Sequence, residues 1–422
     1  MPTRIVVTGL GFTSCIGNST DTVHQSLLNQ QSGITAHTFC ENPNLSVKAI
    51  GKPKDFEFPT PSWRTWKLSE GCKIDPALKR SLSPHGIYAF HAVTQAIADS
   101  KLEESLIKDG DTGLYCASAG SPMLLHHNLK ALDASKGERG NPLGILSSIS
   151  GTLNFNLGSW FGIRGTNCGF VSACTSSSHA IGYAFDDIAL GRQKRAIVVG
   201  AEDATAESLL PFAAMRALST NPDAAHASRP FDKNRDGFVG AGGAVTLILE
   251  EEQSALERGA PIYAELKSWG QSSDGYHRAS PHPKGEGLAS AINKALKGAN
   301  ITPDEIDYVN AHATSTLAGD QAEAAAIRSV FSTDASSRPL VSSTKGLTGH
   351  GLSMAGTLEA AICCLAIKHG FVPGNAHLKN LDPNCEGLNI PRETQKQALT
   401  WVLNNSSGFG GSNVCHVFKR YN

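Results

Sequence analysis

Val171-Ser172-Ala173-Cys174-Thr175-Ser176-Ser177-Ser178-His179-Ala180 starts as an apolar, strand-like segment, breaks into small and hydroxylic residues, and runs on as a helix. A strand that turns directly into a helix is the building unit of an α/β fold. A thiol at such a turn faces the positive end of the helix and its unpaired N–H groups. These favour thiolate over thiol and can hold a developing oxyanion. Cys174 is read as a nucleophile on that basis. On this segment alone a buried, inert cysteine remains an equal alternative, because free cysteine is among the most buried residue types.

Working outward, two further polar islands follow apolar runs: Asn310-Ala311-His312-Ala313-Thr314-Ser315-Thr316, and Ser342-Ser343-Thr344-Lys345-Gly346-Leu347-Thr348-Gly349-His350-Gly351. One cysteine, two histidines and a lysine suit thioester chemistry: the thiol takes an acyl group, and the imidazoles donate to a thioester carbonyl or move protons. Strand-like runs such as Arg195 to Gly200 alternate with helical patterns such as Ala180 to Leu190, which is the signature of α/β. Val245 to Glu250 closes a first half, and a second opens at Ile262-Tyr263-Ala264. This predicts an N-terminal unit over 1–255 carrying the cysteine and a C-terminal unit over 256–422 carrying the histidines and lysine. The stretches 38–71 and 270–287 read as surface loops or caps beside a substrate channel.

The 422 residues hold 37 basic and 38 acidic side chains, a balance that argues against a general nucleic-acid binder. The ten cysteines form no CxxC pairs, so neither zinc nor disulfides are indicated, and a reducing cytoplasm fits. No apolar run reaches membrane-spanning length, Ala360 to Ile367 being the best, and no secretory leader precedes Ile5-Val6-Val7.

Three motifs look functional without being so. Gly9-Leu10-Gly11-Phe12-Thr13-Ser14 lacks the third glycine of a dinucleotide loop. Asp232 to Gly237 opens like a calcium loop but has Gly243 where a glutamate is needed. Ser342 and Lys345 stand at S-x-x-K spacing, which raises an acyl-serine hydrolase as a rival, yet no S-D-N or K-T-G element accompanies them.

The Cys174 segment, the two histidine islands, Arg229-Pro230-Phe231-Asp232 with Arg235-Asp236-Gly237-Phe238, and Gly408-Phe409-Gly410-Gly411 follow one another in an order that resembles the β-ketoacyl-acyl-carrier-protein synthases I and II of the thiolase superfamily. The resemblance implies a thiolase-like five-layered αβαβα sandwich of two duplicated halves. It implies a Cys174 acyl-enzyme, with His312 and His350 promoting decarboxylation of a malonyl thioester, and an oxyanion site between the N–H groups of Cys174 and Phe409, with Phe409 as a gate. Lys345 would organise the histidines, with Glu323, three residues after Asp320, as its acidic partner and Glu359 as a further acidic position. Thr314 and Thr316 would hold a pantetheine arm, and Arg216 an acidic carrier protein. Asn310, Glu359, Asn404 and Asn405 match residues that surround a structural monovalent cation in some relatives. No bound cofactor is expected, since 4′-phosphopantetheine arrives on the acyl carrier protein, and a homodimer is expected, with no nucleic acid and no membrane. Ala313, the acid-free stretch around Ala241, and Ser407 depart from the pattern and leave room for a specialised polyketide or polyene ketosynthase. A non-catalytic chain-length partner would lack the cysteine, and a degradative thiolase would need a second catalytic one.

Overall fold

The computed structural model describes residues 3–39, 45–138, 140–331 and 339–422. Ten strands form its main sheet system: β1 (Ile5–Thr13), β2 (Thr112–Ala117), β3 (Asn167–Phe170), β4 (Arg195–Glu202), β5 (Gly243–Glu251), β6 (Ala264–Ser273), β7 (Tyr308–Asn310), β8 (Leu340–Ser342), β9 (Trp401–Gly408) and β10 (Ser412–Lys419). Their spatial order is β8-β7-β9-β10-β6-β1-β5-β4-β2-β3. Counted outward from the centre, the first half runs 1-5-4-2-3 and the second 6-10-9-7-8, so the second repeats the first with each strand advanced by five. The sense of each pairing repeats too. β1–β5 and β5–β4 are antiparallel while β4–β2 and β2–β3 are parallel, and β6–β10, β10–β9, β9–β7 and β7–β8 follow the same sequence. Among the described residues, the two five-stranded sheets are hydrogen-bonded to each other where Ile5–Val7 of β1 pairs with residues 264–266 of β6.

Five of its helices frame the site: α1 (Pro84–Asp99), α2 (Ser176–Ala189), α3 (Glu286–Ala299), α4 (Leu317–Val330) and α5 (Ala355–His369). α2 leaves the third strand of the first half and α5 the third strand of the second. Both touch strands of both halves and each other, so they form the middle layer of a five-layered sandwich. α5 is buried from Ala355 to Ile367, as an all-round apolar helix must be when sheets cover it on two sides. The helical stretch Leu352–His369 is long and apolar enough to cross a membrane, a longer run than the sequence suggested. It is 83% buried inside the protein, as a core helix is. α3 instead has one apolar face, Leu288, Ala291, Ile292, Ala295, Leu296 and Ala299, laid on β6 and β10.

Gly9 and Gly11 lie inside β1 rather than in a loop. A Cβ at Gly11 would sit 1.9 Å from the Ala92 carbonyl oxygen of α1, so these glycines allow close helix-on-sheet packing and have no part in nucleotide binding. Asp232 accepts from the backbone N–H groups of Asn234, Lys379 and Asn380, which makes it a turn-former. The expected surface loops are partly corrected. Residues 270–273 belong to β6 and 286–287 to α3. Within 38–71, Ala49–Gly51 is a strand, Val47 and Ile50 are buried, and residues 40–44 lie outside the described ones.

Candidate active site

β3 ends at Phe170, and the chain turns sharply before α2. Ala173 takes φ +54°, a left-handed conformation that costs an alanine energy and persists only where the surroundings hold it. The hydroxylic residues supply that hold. Ser176 Oγ donates to Ala173 O (2.6 Å) and accepts from Ser172 N (2.8 Å). Thr175 Oγ1 donates to Ser172 O (2.7 Å) and accepts from Ser412 Oγ (2.8 Å). The run of Thr and Ser after Cys174 is therefore the fastening of a strained elbow that presents the thiol.

Cys174 Sγ lies 3.1 Å from His350 Nε2. The His350 ring meets the His312 ring at 5.2 Å and 87°, and Phe238 packs edge-on to it at 5.4 Å. Lys345 Nζ is 3.5 Å from His312 Nδ1 and forms a close ion pair with Glu359, all within the buried interior. The four residues singled out from sequence thus converge on one point. Cys174, His312, His350, Thr314, Thr316, Arg216, Ser407 and Phe409 line one cavity of about 360 Å³. Thr314 Oγ1 and Thr316 Oγ1 lie 3.0 Å apart on its wall. Arg216 is exposed, and Phe409, 37% exposed, faces Phe212 at 6.0 Å. A Cβ on Gly408 would sit 3.1 Å from Cys174 N, so only a glycine lets the Phe409 loop approach the nucleophile this closely.

Two expectations change. Glu323 does not pair with Lys345 by contact. Its carboxylate accepts from the backbone N–H groups of His312 (2.9 Å) and Ala313 (2.7 Å) and from Asn405 Nδ2 (3.2 Å), fixing the histidine's loop, while Glu359 is the lysine's partner. The thiol is not poised as thiolate either. Burial pushes it up to about 12, against a downward pull from Lys345 and an upward one from Glu202 and Glu359. Burial, then the Lys345 charge, holds both His312 and His350 well below the ordinary imidazole value, and His312 is lowered further by His350. At neutral pH the Cys174 and His350 side chains are both uncharged. Burial also raises Glu359 to about 7 despite Lys345.

Sequence reading placed Asp320 in support of the site but missed its partners, Arg235 and Asp382, and missed Glu202. Asp320, on α4, accepts from Phe231 N (2.8 Å) and Ser315 N (3.1 Å) and pairs with Arg235 (3.1 Å). Arg235 also pairs with Asp382 (2.7 Å) and donates to Leu317 O (2.9 Å). This buried triad explains the Arg229 to Phe238 motif: it clamps the His312 to Thr316 loop. Glu202, at the end of β4, bonds Ser353 three residues after His350, with burial raising it to about 7. A charged residue closing an otherwise apolar strand was the available signal. The S-x-x-K rival fails on geometry, since Ser342 Oγ bonds Tyr308 Oη (3.0 Å) and Lys345 is committed to Glu359.

The cation set fits in part. Asn310 Oδ1, Glu359 Oε2 and Asn404 Oδ1 are buried without a hydrogen-bond partner, and Asn310 and Asn404 are register neighbours on β7 and β9. Asn405 is engaged elsewhere, its amide on Glu323 and its oxygen 3.0 Å from Cys415 Sγ.

The neutral thiol has a kinetic consequence. Alkylation of Cys174 by iodoacetamide, followed by peptide mapping, should accelerate about tenfold per pH unit from pH 7 to 9, because only the thiolate reacts. A plateau below pH 8 would reveal a thiolate–imidazolium pair instead.

Comparison with known proteins agrees with the geometry. Residues 3–255 match the family model "Beta-ketoacyl synthase, N-terminal domain" and residues 263–379 "Beta-ketoacyl synthase, C-terminal domain". The chain is 38% identical over 427 residues to 3-oxoacyl-[acyl-carrier-protein] synthase 1 of Haemophilus influenzae, covering 99% of each. A crystal structure of a beta-ketoacyl synthase from Burkholderia phymatum superposes with TM-score 0.90 at 30% identity over 100% of both chains. A type II polyketide ketosynthase solved with its acyl-carrier protein gives 0.85 at 26%, also over 100% of both. With both family models matched in order, the cysteine and histidines brought to one cavity and the lysine set behind them, the chain belongs to the beta-ketoacyl synthase family.

Proposed function

We propose that the protein condenses a Cys174-bound acyl group with a malonyl group carried on acyl carrier protein, giving a 3-oxoacyl thioester in fatty acid synthesis. The observation that carries this reading is the meeting of Cys174, His350 and His312 on one cavity wall, with buried Lys345 behind His312. Cys174 attacks an acyl thioester, its proton passing by way of His350 to the departing carrier thiol, and the acyl–sulfur bond moves to Cys174. Malonyl thioester follows. Its carboxylate carbon leaves as CO₂, and the electrons of the broken bond pass into an enolate whose oxygen the two imidazoles stabilise. The enolate carbon attacks the acyl carbonyl, and the Cys174 thiolate departs and takes up a proton. Lys345 only donates, so the lone pair of His312 Nδ1 faces it and the Nε2–H points onward as a donor for the enolate oxygen. The backbone N–H groups of Cys174 and Phe409 would serve the second oxyanion.

Cys174→Ala should abolish acylation and condensation yet keep part of the CO₂ release from malonyl carrier, because the imidazoles remain. Adding His312→Ala, His350→Ala or both should remove it about equally, each loss being on the order of a hundredfold to a thousandfold. Condensation persisting in Cys174→Ala would exclude the cysteine.

An acidic acyl carrier protein is the partner this reading requires, and Arg216 at the cavity rim suits its docking. Arg216→Glu should raise KM for carrier-bound substrate several-fold while leaving short free thioesters unchanged, and equal effects on both would place Arg216 in the fold instead. A polyketide role is the second reading, favoured by the polyketide neighbour and by Ser407. Free thiols at all nine described cysteines support a reducing cytoplasm.

Asn310 and Asn404, with the Glu359 oxygen that Lys345 does not reach, would hold a monovalent cation. Their unpartnered oxygens support it, and melting temperature should fall when potassium is replaced by tetramethylammonium at equal ionic strength. An unchanged value would remove the cation.

A homodimer is supported by an exposed apolar face comprising Leu125, Leu129, Ile145, Phe155, Trp160 and Val171 beside the exposed edge strand β3, both of which need covering. Because β3 leads into the Cys174 elbow, sedimentation across a dilution series should show condensation activity falling as the dimer dissociates. A fully active monomer would sink that coupling.

A further inference from the structure

We propose that the cleft at the far end of α5 is a second, non-catalytic binding site for a small phosphate-bearing anion. The cleft has a volume of about 550 Å³, and its lining includes Lys368, His369, Lys396 and Arg420 but no carboxylate. Lys368 complements the negative end of α5 beside His369, whose imidazole burial and then Lys368 hold below its ordinary value. That explanation does not extend to Lys396, which lies on a short strand paired with Phe371–Val372, or to Arg420, which follows β10. Among the described residues, Lys368, Lys396 and Arg420 have no carboxylate within 4.0 Å. Asp21 acts on the cluster only through His369; the permanent charges of Lys368, Lys396 and Arg420 repel one another, and a bound anion relieves that repulsion.

The groups are also held in place. Arg420 donates Nε to Leu399 O (2.7 Å) and its backbone N–H to Thr400 O (2.8 Å), which anchors the guanidinium and leaves its two terminal nitrogens for a ligand. The planar fork of arginine matches phosphate oxygens in pairs. Lys368 Nζ is tethered to Ile262 O (3.0 Å), and the His369 ring stacks on His24 at 4.1 Å. α5 runs 15 residues from its start near His350 to His369, about 21 Å at 1.5 Å per residue. Occupancy of the cleft therefore leaves the catalytic cavity open, and the inference does not depend on the reaction proposed above.

Isothermal titration of the full-length protein with inorganic pyrophosphate, and separately with ATP, in a low-salt buffer tests it. Binding should appear at millimolar concentration or below, weaken more than tenfold when sodium chloride is raised to 500 mM, and fall at least tenfold in Lys396→Glu/Arg420→Glu. Arg216→Glu, at the catalytic mouth, should bind like the wild type. Should the double charge reversal fail to fold, Lys396→Gln/Arg420→Gln supplies the same comparison. No heat with either probe overturns the proposal. So does equal binding by wild type and the Lys396/Arg420 variant, or loss of binding in Arg216→Glu.

Discussion

A single buried cation, Lys345, sets the electrostatics of the catalytic cavity. It is almost wholly withdrawn from water beside Glu359, and removing either partner would leave a bare charge at a cost of about 3–5 kcal/mol. Burial first, and its charge second, keep the neighbouring imidazoles from protonating, and the same charge draws the Cys174 thiol down against the effect of burial. Neutral histidines each keep one donor and one acceptor nitrogen, and the lysine decides which is which at His312. One permanent charge thereby makes an otherwise uncharged set of reactive groups directional.

That arrangement is placed by the duplicated fold. Cys174 stands two residues before α2 and His350 five residues before α5, and the two helices follow equivalent strands of the two halves. Because α2 and α5 pack against each other in the middle layer, their N-terminal ends meet, and the segments preceding them bring sulfur and imidazole to 3.1 Å. The third strand of each half thus feeds one half of the reactive pair. The His312 loop enters from β7, the strand paired with β8, and the Arg235–Asp320–Asp382 triad holds it from behind.

Cys174, His312, Lys345 and His350 were legible in the sequence because each breaks an apolar run with small, polar residues, a pattern that survives without coordinates. The alternation of strands and helices was legible for the same reason. The duplication was legible only through the family resemblance: strand order and pairing sense repeat while the residues do not, so no match between the halves themselves exposes it. The partner of Lys345 was misassigned because Glu323 and Glu359 are equally acidic on paper, and only packing tells that one faces backbone N–H groups and the other an ammonium. The thiolate expectation failed similarly. Proximity to a helix end can be read from spacing, but depth of burial cannot, and here burial dominates.

The departures from the family pattern differ in weight. Ala313 is buried, its N–H on Glu323 and its carbonyl accepting from Ser343 Oγ, so its backbone connects the loop on both sides while its methyl adds only bulk. Ser407 does more. Its hydroxyl donates to Asn413 Oδ1 (2.8 Å), Asn413 Nδ2 donates to Asp274 Oδ1 (2.8 Å), and Gly410 N donates to Arg278 O (2.9 Å). These bonds stitch the loop bearing Phe409 to the segment after β6 on the cavity's outer side. A larger apolar residue at 407 would fill space there but could not join that chain of donors. The nucleophile's side of the cavity is fixed by the Ala173 elbow and its hydroxyl bonds, and the opposite side rests on this polar stitching around glycines. One hydroxyl at 407 therefore changes what holds the Phe409 loop, whereas the surroundings of Cys174 leave little to vary.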